Sequence, residues 1–378
     1  MPTKVCYVLP LYDENTHQHH AYLYPFIEDA AKRLRMLVIV EKTTGKVRLS
    51  TVERIWVQYF RLAPLRAIEL FVLLLVARLM GYKTFYTHYS FYGSVAAGFI
   101  ARLTGGRSFY WSCGELAVHH VRPTSLANIR RIITRQWPEK LAIRMAKPLV
   151  TGTMRMADYY ALHYGVNRYN IRVMPNWVGP ERFERAEPDA EIKAKIDAAG
   201  RGPRVLFVHR LAPLRGATWL ATLLERAAKE YPEVVFVVAG DGPSRRDVEE
   251  DARKRGLESR LVILGWIPNR LVPGLMKMSD VLIMPSRHEA FGRILLEAMA
   301  AGLPFVATDC GGIPDVLTAE QAEFMSGRDD LDRFGANMMR LLGDATKRET
   351  LRQVGLKHVR NYATEVVLDQ FVKMLEAR

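Results

Sequence analysis

Short apolar runs alternate along the chain with longer stretches in which apolar residues recur every three or four positions. The first kind comprises VCYVL (5–9), MLVIV (36–40), KTFYT (83–87), RSFYW (107–111) and PLVT (148–151). Several of these show no polar alternation, as expected of parallel strands covered by helices on both faces. The second kind includes a stretch from about 19 to 34 and SVAAGFIARL (94–103). The alternation predicts βαβ units in an open, doubly wound α/β sheet. It is interrupted by PNWVGPERFERAEPDAEIKAKIDAAGRGP (175–203), rich in Pro, Gly and charge, which reads as an interdomain connection with a short helix. Alternation then restarts with RVLFV (204–208), VVFVVAG (234–240), LVILG (261–265), VLIMPS (281–286) and PFVAT (304–308). About three helices close the chain, the last near 364–377. The predicted organisation is a first domain over 1–175, a second over 176–362, and a terminal helix over 363–378 returning to the first. Two such sheets side by side are expected to leave a cleft between the carboxyl ends of their strands, where ligands bind in such folds.

Composition is consistent with this picture and adds an asymmetry. A chain of 378 residues, 49% apolar, suffices for two domains with sizeable cores. Its three cysteines, Cys6, Cys113 and Cys310, are too scattered for a disulfide or zinc framework and point to a reducing compartment. The opening MPTKVCYVLP runs straight into a strand, without a charged-then-apolar leader. The longest apolar run, 70–77, falls well short of the ~20 residues of a membrane span and reads as a buried helix. Residues 1–180 hold 24 Lys and Arg against 10 Asp and Glu, while the remainder holds 30 of each. The whole excess of +14 therefore lies in the first half, which is expected to meet something acidic.

Candidate chemistry concentrates in the second half. In SRHEAFGRILLEAMAAG (286–302), Glu289 precedes and Glu297 lies within a helix opened at Gly292 and closed at Gly302. The first N–H groups of that helix, at Gly292, Arg293 and Ile294, form an anion site with the helix dipole. A phosphate held there would lie between two carboxylates, which accept well from sugar hydroxyls. A nucleotide sugar has hydroxyls on both sides of a diphosphate. By itself the spacing equally fits a loop carboxylate and a solvent-facing helical one. HRLAPLRG (209–216) adds Arg210 and Arg215 at the carboxyl end of a strand, where two guanidiniums can neutralise a diphosphate leaving group.

These segments resemble glycosyltransferase family 4, retaining enzymes of the two-domain GT-B fold, in which two doubly wound Rossmann-like domains face a central cleft. The E-x7-E motif, the R-x4-[KR]-G motif at Arg210, Arg215 and Gly216, GDGP (240–243), LGWIP (264–268) and GLPFVATDCGGIPDVL (302–317) match that family in order and spacing. MPNWVGPERF (174–183) is similar to its segment before the second domain. The resemblance is strong over about 174–317 and weak in the first half. It implies that Glu289 meets the donor hexose, that backbone around Ala290, Phe291, Gly292, Arg293 and Ile294 holds the distal phosphate, and that Glu297 takes the ribose. It implies catalytic roles for Glu289, Arg210 and Arg215, and a base pocket along the loop with Gly265 and Ile267. A UDP- or GDP-linked donor is then the substrate, with no cofactor and no metal.

Departures fall mainly in the first half. The family usually carries a Gly-Gly loop after the first strand; here the loop reads LYDENTHQHHAY, without glycine. Its His17, His19 and His20 fit acceptor contacts, surface histidines or an incomplete metal cluster. Where the family often has a histidine after a later strand, this chain has Cys113 and Gly114; His119 and His120 follow, and Glu115 is an acceptor-side carboxylate candidate. His209 stands where a glycine is usual and is expected to narrow the donor pocket.

The segment 122–147 has seven basic residues and one acid, with Ile129, Ile132, Ile133, Trp137, Leu141 and Met145 at roughly helical spacing. Such a pattern fits an anionic membrane surface as well as a solvated face over a packed helix. RLSTVERIWVQYFRLAPLR (48–66) has a similar flavour. The sequence therefore predicts a cytoplasmic enzyme on the inner face of a membrane, moving a hexose from a nucleotide to a lipid-linked acceptor. The alternatives are a soluble glycosyltransferase acting on a sugar phosphate or small molecule, and a basic nucleic-acid-binding protein. No nucleic-acid module is recognisable, and the charge-balanced second half argues against a general nucleic-acid coat.

Overall fold

The computed structural model describes residues 2–14, 22–113 and 125–377. The chain divides into two compact units, one of residues 1–175 with 365–378 and the other of residues 176–364.

The first unit is built on seven parallel strands: β1 (Lys4–Leu9), β2 (Arg35–Val40), β3 (Arg54–Val57), β4 (Thr84–His88), β5 (Arg107–Trp111), β6 (Leu149–Thr151) and β7 (Ile171–Val173), in the order β3-β2-β1-β4-β5-β6-β7. Strands β1, β2 and β4 are buried along almost their whole length because helices cover both sheet faces. The sheet winds outward in both directions from the β1–β4 pair, leaving a topological switch point at their carboxyl ends. The helix Thr364–Glu376 packs on this unit: Phe371 meets Phe26 edge-on at 5.3 Å and Tyr86 at 5.0 Å. Asp369 pairs with Arg33, and the Arg107 guanidinium donates to the carbonyls of Leu375 and Ala377.

The second unit has six parallel strands: β8 (Arg204–Val208), β9 (Val235–Ala239), β10 (Leu261–Gly265), β11 (Val281–Met284), β12 (Phe305–Asp309) and β13 (Met325–Gly327), ordered β10-β9-β8-β11-β12-β13. Its switch point lies between β8 and β11. One face of the sheet closes over a core of Val205, Phe207, Phe236, Val238 and Ile283 against Leu220, Leu224, Phe334 and Met338.

Two expectations need correction. The apolar run 70–77 does form a helix, Ala63–Leu79, but only Leu70, Leu74 and Ala77 are buried. Val72, Leu75 and Val76 face outward, Val72 at 49% exposure. A helix lying on a sheet buries a stripe, and the remainder of an all-apolar run has nowhere to go but the surface. Segment 48–66, read as similar to a basic amphipathic stretch, instead contains the edge strand β3, paired to β2 from Leu37↔Arg54 to Val40↔Val57. Beyond it Tyr59, Phe60 and Leu62 remain exposed. Among the described residues no helix is long and apolar enough to cross a membrane.

Candidate active site

In the second unit, loops following β8, β9, β11 and β12 meet at the carboxyl edge of the sheet. The β8 loop, His209 to Gly216, is anchored on the β9 loop: Leu211 N–H donates to the Asp241 carbonyl (3.0 Å), and Ser244 N–H to the Leu211 carbonyl (3.1 Å). Its far end presses on the exit from β11. Gly216 has φ +75°, and a Cβ there would fall 2.0 Å from the Pro285 carbonyl oxygen. Only glycine permits both the left-handed backbone and this approach. Arg287 N–H completes the junction by donating to the Leu214 carbonyl at 3.0 Å.

This junction sets Arg215 beside Glu289. Arg215 Nη1 donates to Glu289 Oε2 at 2.7 Å and to the His288 carbonyl. His209 Nε2 lies 3.5 Å from the same Oε2, and Gly292 N–H donates to Oε1 at 3.4 Å. Glu289 is thereby held from three sides, with its side chain 16% exposed. Burial alone would push its carboxyl upward. The His209 hydrogen bond, the Arg215 charge and the Gly292 N–H outweigh that and bring it down to about 2. The loop after β12 supports the same turn, since Gly312 N–H donates to the Glu289 carbonyl at 3.3 Å.

The helix Arg293–Ala301 begins at once. Gly292, at φ +83°, is its N-cap, and a Cβ there would crowd Ile313 Cγ1 at 3.3 Å. The three N–H groups expected to be free are reduced by one, because Gly292 N–H is taken by Glu289. Those of Arg293 and Ile294 lie in the first turn, where a helix offers no internal acceptor. Ala290 and Ile294 are half-buried; Phe291 is buried, its ring 6.3 Å from that of Tyr362. Glu297, inside the helix, is 9% exposed and paired with Arg293 Nη2 at 3.0 Å.

Arg210 is exposed, and its guanidinium has no partner among the described residues; its N–H donates to His209 Nδ1 at 2.7 Å. Gly265 ends β10 and bridges Gly240, which sets the LGWIP loop beside the GDGP loop. Ile267 is half-buried and Trp266 stands out at 73% exposure. The structure thus joins Arg215, Glu289 and the helix start in one contact set, Glu297 following within that helix, and places Arg210, Gly265 and Ile267 on loops of the same sheet edge. Glu115, His119, His120, His17, His19 and His20 lie outside the described residues.

The sequence pointed to His209 as narrowing the donor pocket, but its ring contacts to Glu289 and to the Arg210 N–H are visible only in three dimensions. Arg182, on the short helix Glu181–Glu184, lies within electrostatic reach of Glu297 and Arg293 and donates to Asn269 Oδ1 at 3.2 Å. Its place in MPNWVGPERF was the available signal. In the first unit, Tyr89 at the end of β4 adopts φ +52°, with its N–H on the Trp111 carbonyl and its hydroxyl on the Cys113 carbonyl. A left-handed tyrosine at a strand's carboxyl end leaves no mark in sequence.

Residues 188–358 match the family described as Glycosyl transferases group 1. The 2-deoxystreptamine glucosyltransferase of Streptomyces kanamyceticus is 32% identical over 234 residues, which cover 61% of this chain and 60% of that protein. The gpi3 subunit of phosphatidylinositol N-acetylglucosaminyltransferase from Schizosaccharomyces pombe is 27% identical over 282 residues, covering 74% and 53%. The aligned part of the chain thus spans between about half and three fifths of these relatives' length. Among solved structures, Anabaena HepE in complex with UDP superposes with a TM-score of 0.74 at 17% identity, over 100% of both chains. WaaG, a glycosyltransferase involved in lipopolysaccharide biosynthesis, does so at 0.71 and 15%, over 99% and 100%. At such identities the likeness establishes the fold, which is GT-B. Arg210, Arg215, Glu289 and Glu297 all lie inside the span that matches the group 1 glycosyl transferases, and over that span the chain is similar to that family.

Proposed function

We propose that the protein is a retaining, metal-independent glycosyltransferase that moves a hexose from a UDP- or GDP-linked donor to a lipid-linked or membrane-associated acceptor. The observation that carries this reading is the joint placement of Arg215, Glu289 and a helix N-terminus at one sheet edge. An anion at the helix start would have Arg215 and Arg210 to balance the charge that grows on a departing diphosphate. Glu289 stays ionised throughout the physiological range and can accept from sugar hydroxyls on one side. Glu297, four residues into the helix, is assigned the ribose. The phosphate that leaves would take the acceptor's proton, as front-face attack with retention requires.

The acceptor is assigned from the first unit. Its helix Leu126–Arg131 runs through a π-helical stretch, Ile132–Gln136, into Trp137–Met145. Ile133, Trp137 and Leu141 are exposed, Trp137 at 71%, among exposed Arg130, Lys140 and Arg144, whereas its single acid, Glu139, is buried. Apolar and cationic groups on one face suit the surface of an anionic bilayer, and the protein would work there on its cytoplasmic side. A soluble small-molecule acceptor is the second reading, favoured by the name of the 32% identical relative. Flotation with liposomes containing and lacking anionic lipid separates the two: binding that needs anionic lipid supports the first, and no flotation supports the second. A screen of UDP- and GDP-sugars by thermal shift, with and without EDTA, tests the donor assignment. Donor binding abolished by EDTA would overturn metal independence.

A further inference from the structure

We infer that His209 is a positioning residue for Glu289, one that keeps the carboxylate in place when Arg215 turns toward the donor's diphosphate. The inference rests on the reading that Glu289 meets the transferred sugar. Three donors converge on this carboxylate, and two share a single oxygen, Oε2: Arg215 Nη1 at 2.7 Å and His209 Nε2 at 3.5 Å. They differ in how free they are to leave. Arg215 grips one oxygen of a carboxylate whose other oxygen takes the Gly292 N–H at the helix start, so a diphosphate seated there competes with Glu289 for its guanidinium. The imidazole is tied down. Its Nδ1 accepts the Arg210 N–H at 2.7 Å. A nitrogen that accepts from a backbone N–H carries no proton, so the neutral ring holds its proton on Nε2. That is the nitrogen facing Glu289. The tautomer, assigned from this hydrogen bond, therefore delivers an N–H to the carboxylate without drawing on any group the donor would claim.

The same two contacts link the loop that carries both arginines to the loop that carries Glu289. Losing the ring would leave Glu289 with one of its three donors, the Gly292 N–H at 3.4 Å, once Arg215 has moved. The effect should therefore appear when a sugar is present on the diphosphate, and hardly at all with the bare nucleotide.

Two conservative variants divide the functions of the ring. His209→Gln offers an N–H about as far out as Nε2. His209→Asn keeps a short acceptor for the Arg210 N–H but cannot reach Glu289. The full chain is screened by calorimetry against UDP-glucose, UDP-N-acetylglucosamine and GDP-mannose, and the donor that binds is carried forward with its own nucleoside diphosphate. Melting curves confirm that each variant is folded. His209→Ala and His209→Asn are expected to bind the sugar nucleotide about tenfold more weakly or worse, the factor of a lost hydrogen bond to a charged group. Both should hold the nucleoside diphosphate within about twofold, and His209→Gln should recover most of the loss. Recovery by Asn as complete as by Gln would reduce His209 to a local turn residue and overturn the inference. So would equal losses for both ligands, or no loss in His209→Ala. Glu289→Gln reports on the underlying reading separately. If it weakens both ligands alike, Glu289 does not meet the sugar, whatever the His209 variants do. If none of the three donors binds the wild type, the donor assignment and the inference fall together.

Discussion

Glu289 is gripped by an arginine 74 positions earlier in the chain, and that grip exists because Gly216 lets the β8 loop lie against Pro285. The E-x7-E and R-x4-R spacings were legible because they are local. The ion pair between them was not, since it depends on a non-local approach. Glu289 and Glu297 should divide the donor between them. Glu289→Ala should weaken a nucleotide sugar by an order of magnitude or more, while leaving its nucleoside diphosphate nearly as tight. Glu297→Ala should weaken both. Calorimetric titration of both ligands checks this, and identical losses in the two variants would refute the division.

The depressed Glu289 carboxyl also carries a pH signature. Its folded pKa, about 2, lies below the ordinary 4.5, so the folded state favours the ionised form. That contribution is full above about pH 4.5 and is lost as pH falls toward 2. A shift of this size corresponds to about 3 kcal/mol. Wild type should therefore lose melting temperature between pH 5 and 3 more steeply than Glu289→Gln. Parallel curves would mean that the carboxylate is not held by charge.

At the scale of elements, strands that are buried on both faces and five or six residues long were readable as apolar runs. β3, β7 and β13 were missed. Their three or four residues match the lengths of β6 and β11, which are buried throughout and read as apolar runs, but most of their own positions are exposed or half-buried, so such short segments leave no pattern to find. The helix Ala63–Leu79 failed in the opposite way, because composition marks apolar residues but does not say how many of them a sheet can cover. The loop elements of the site make a sharper prediction. Gly216→Ala places a Cβ where the Pro285 carbonyl is and strains a backbone at φ +75°. It should lower stability by about 1–3 kcal/mol and loosen the Arg215–Glu289 junction. Thermal melts and donor titration should show both effects together. A variant as stable as wild type would mean that the loops do not need this approach. Arg215→Ala should keep the fold and lose on the order of a hundredfold in turnover, as when one stabiliser of developing negative charge is removed. Full activity in that variant would take Arg215 out of the site.

For the whole molecule, the separation of charge agrees with a division of labour between a basic first half and a charge-balanced second half. If the first unit docks on lipid, reversing Arg130, Lys140 and Arg144 to Glu should abolish flotation with anionic liposomes. Each cation near such a surface contributes ~1 kcal/mol, so reversal of three costs several. Added salt should mimic the variant, and nucleotide binding should be unchanged. Flotation that survives the reversal would remove this helix from the docking surface.

Whether the loops around Glu289 hold the donor decides where the reaction takes place. Calorimetry of the full chain with UDP- and GDP-sugars, repeated with the double variant Arg215→Ala, Glu289→Ala, asks this directly. The structure predicts that at least one nucleotide sugar saturates the wild type and that its affinity falls by two orders of magnitude or more in the folded double variant. A nucleotide sugar that binds the double variant as tightly as the wild type would place the donor elsewhere and contradict the assignment.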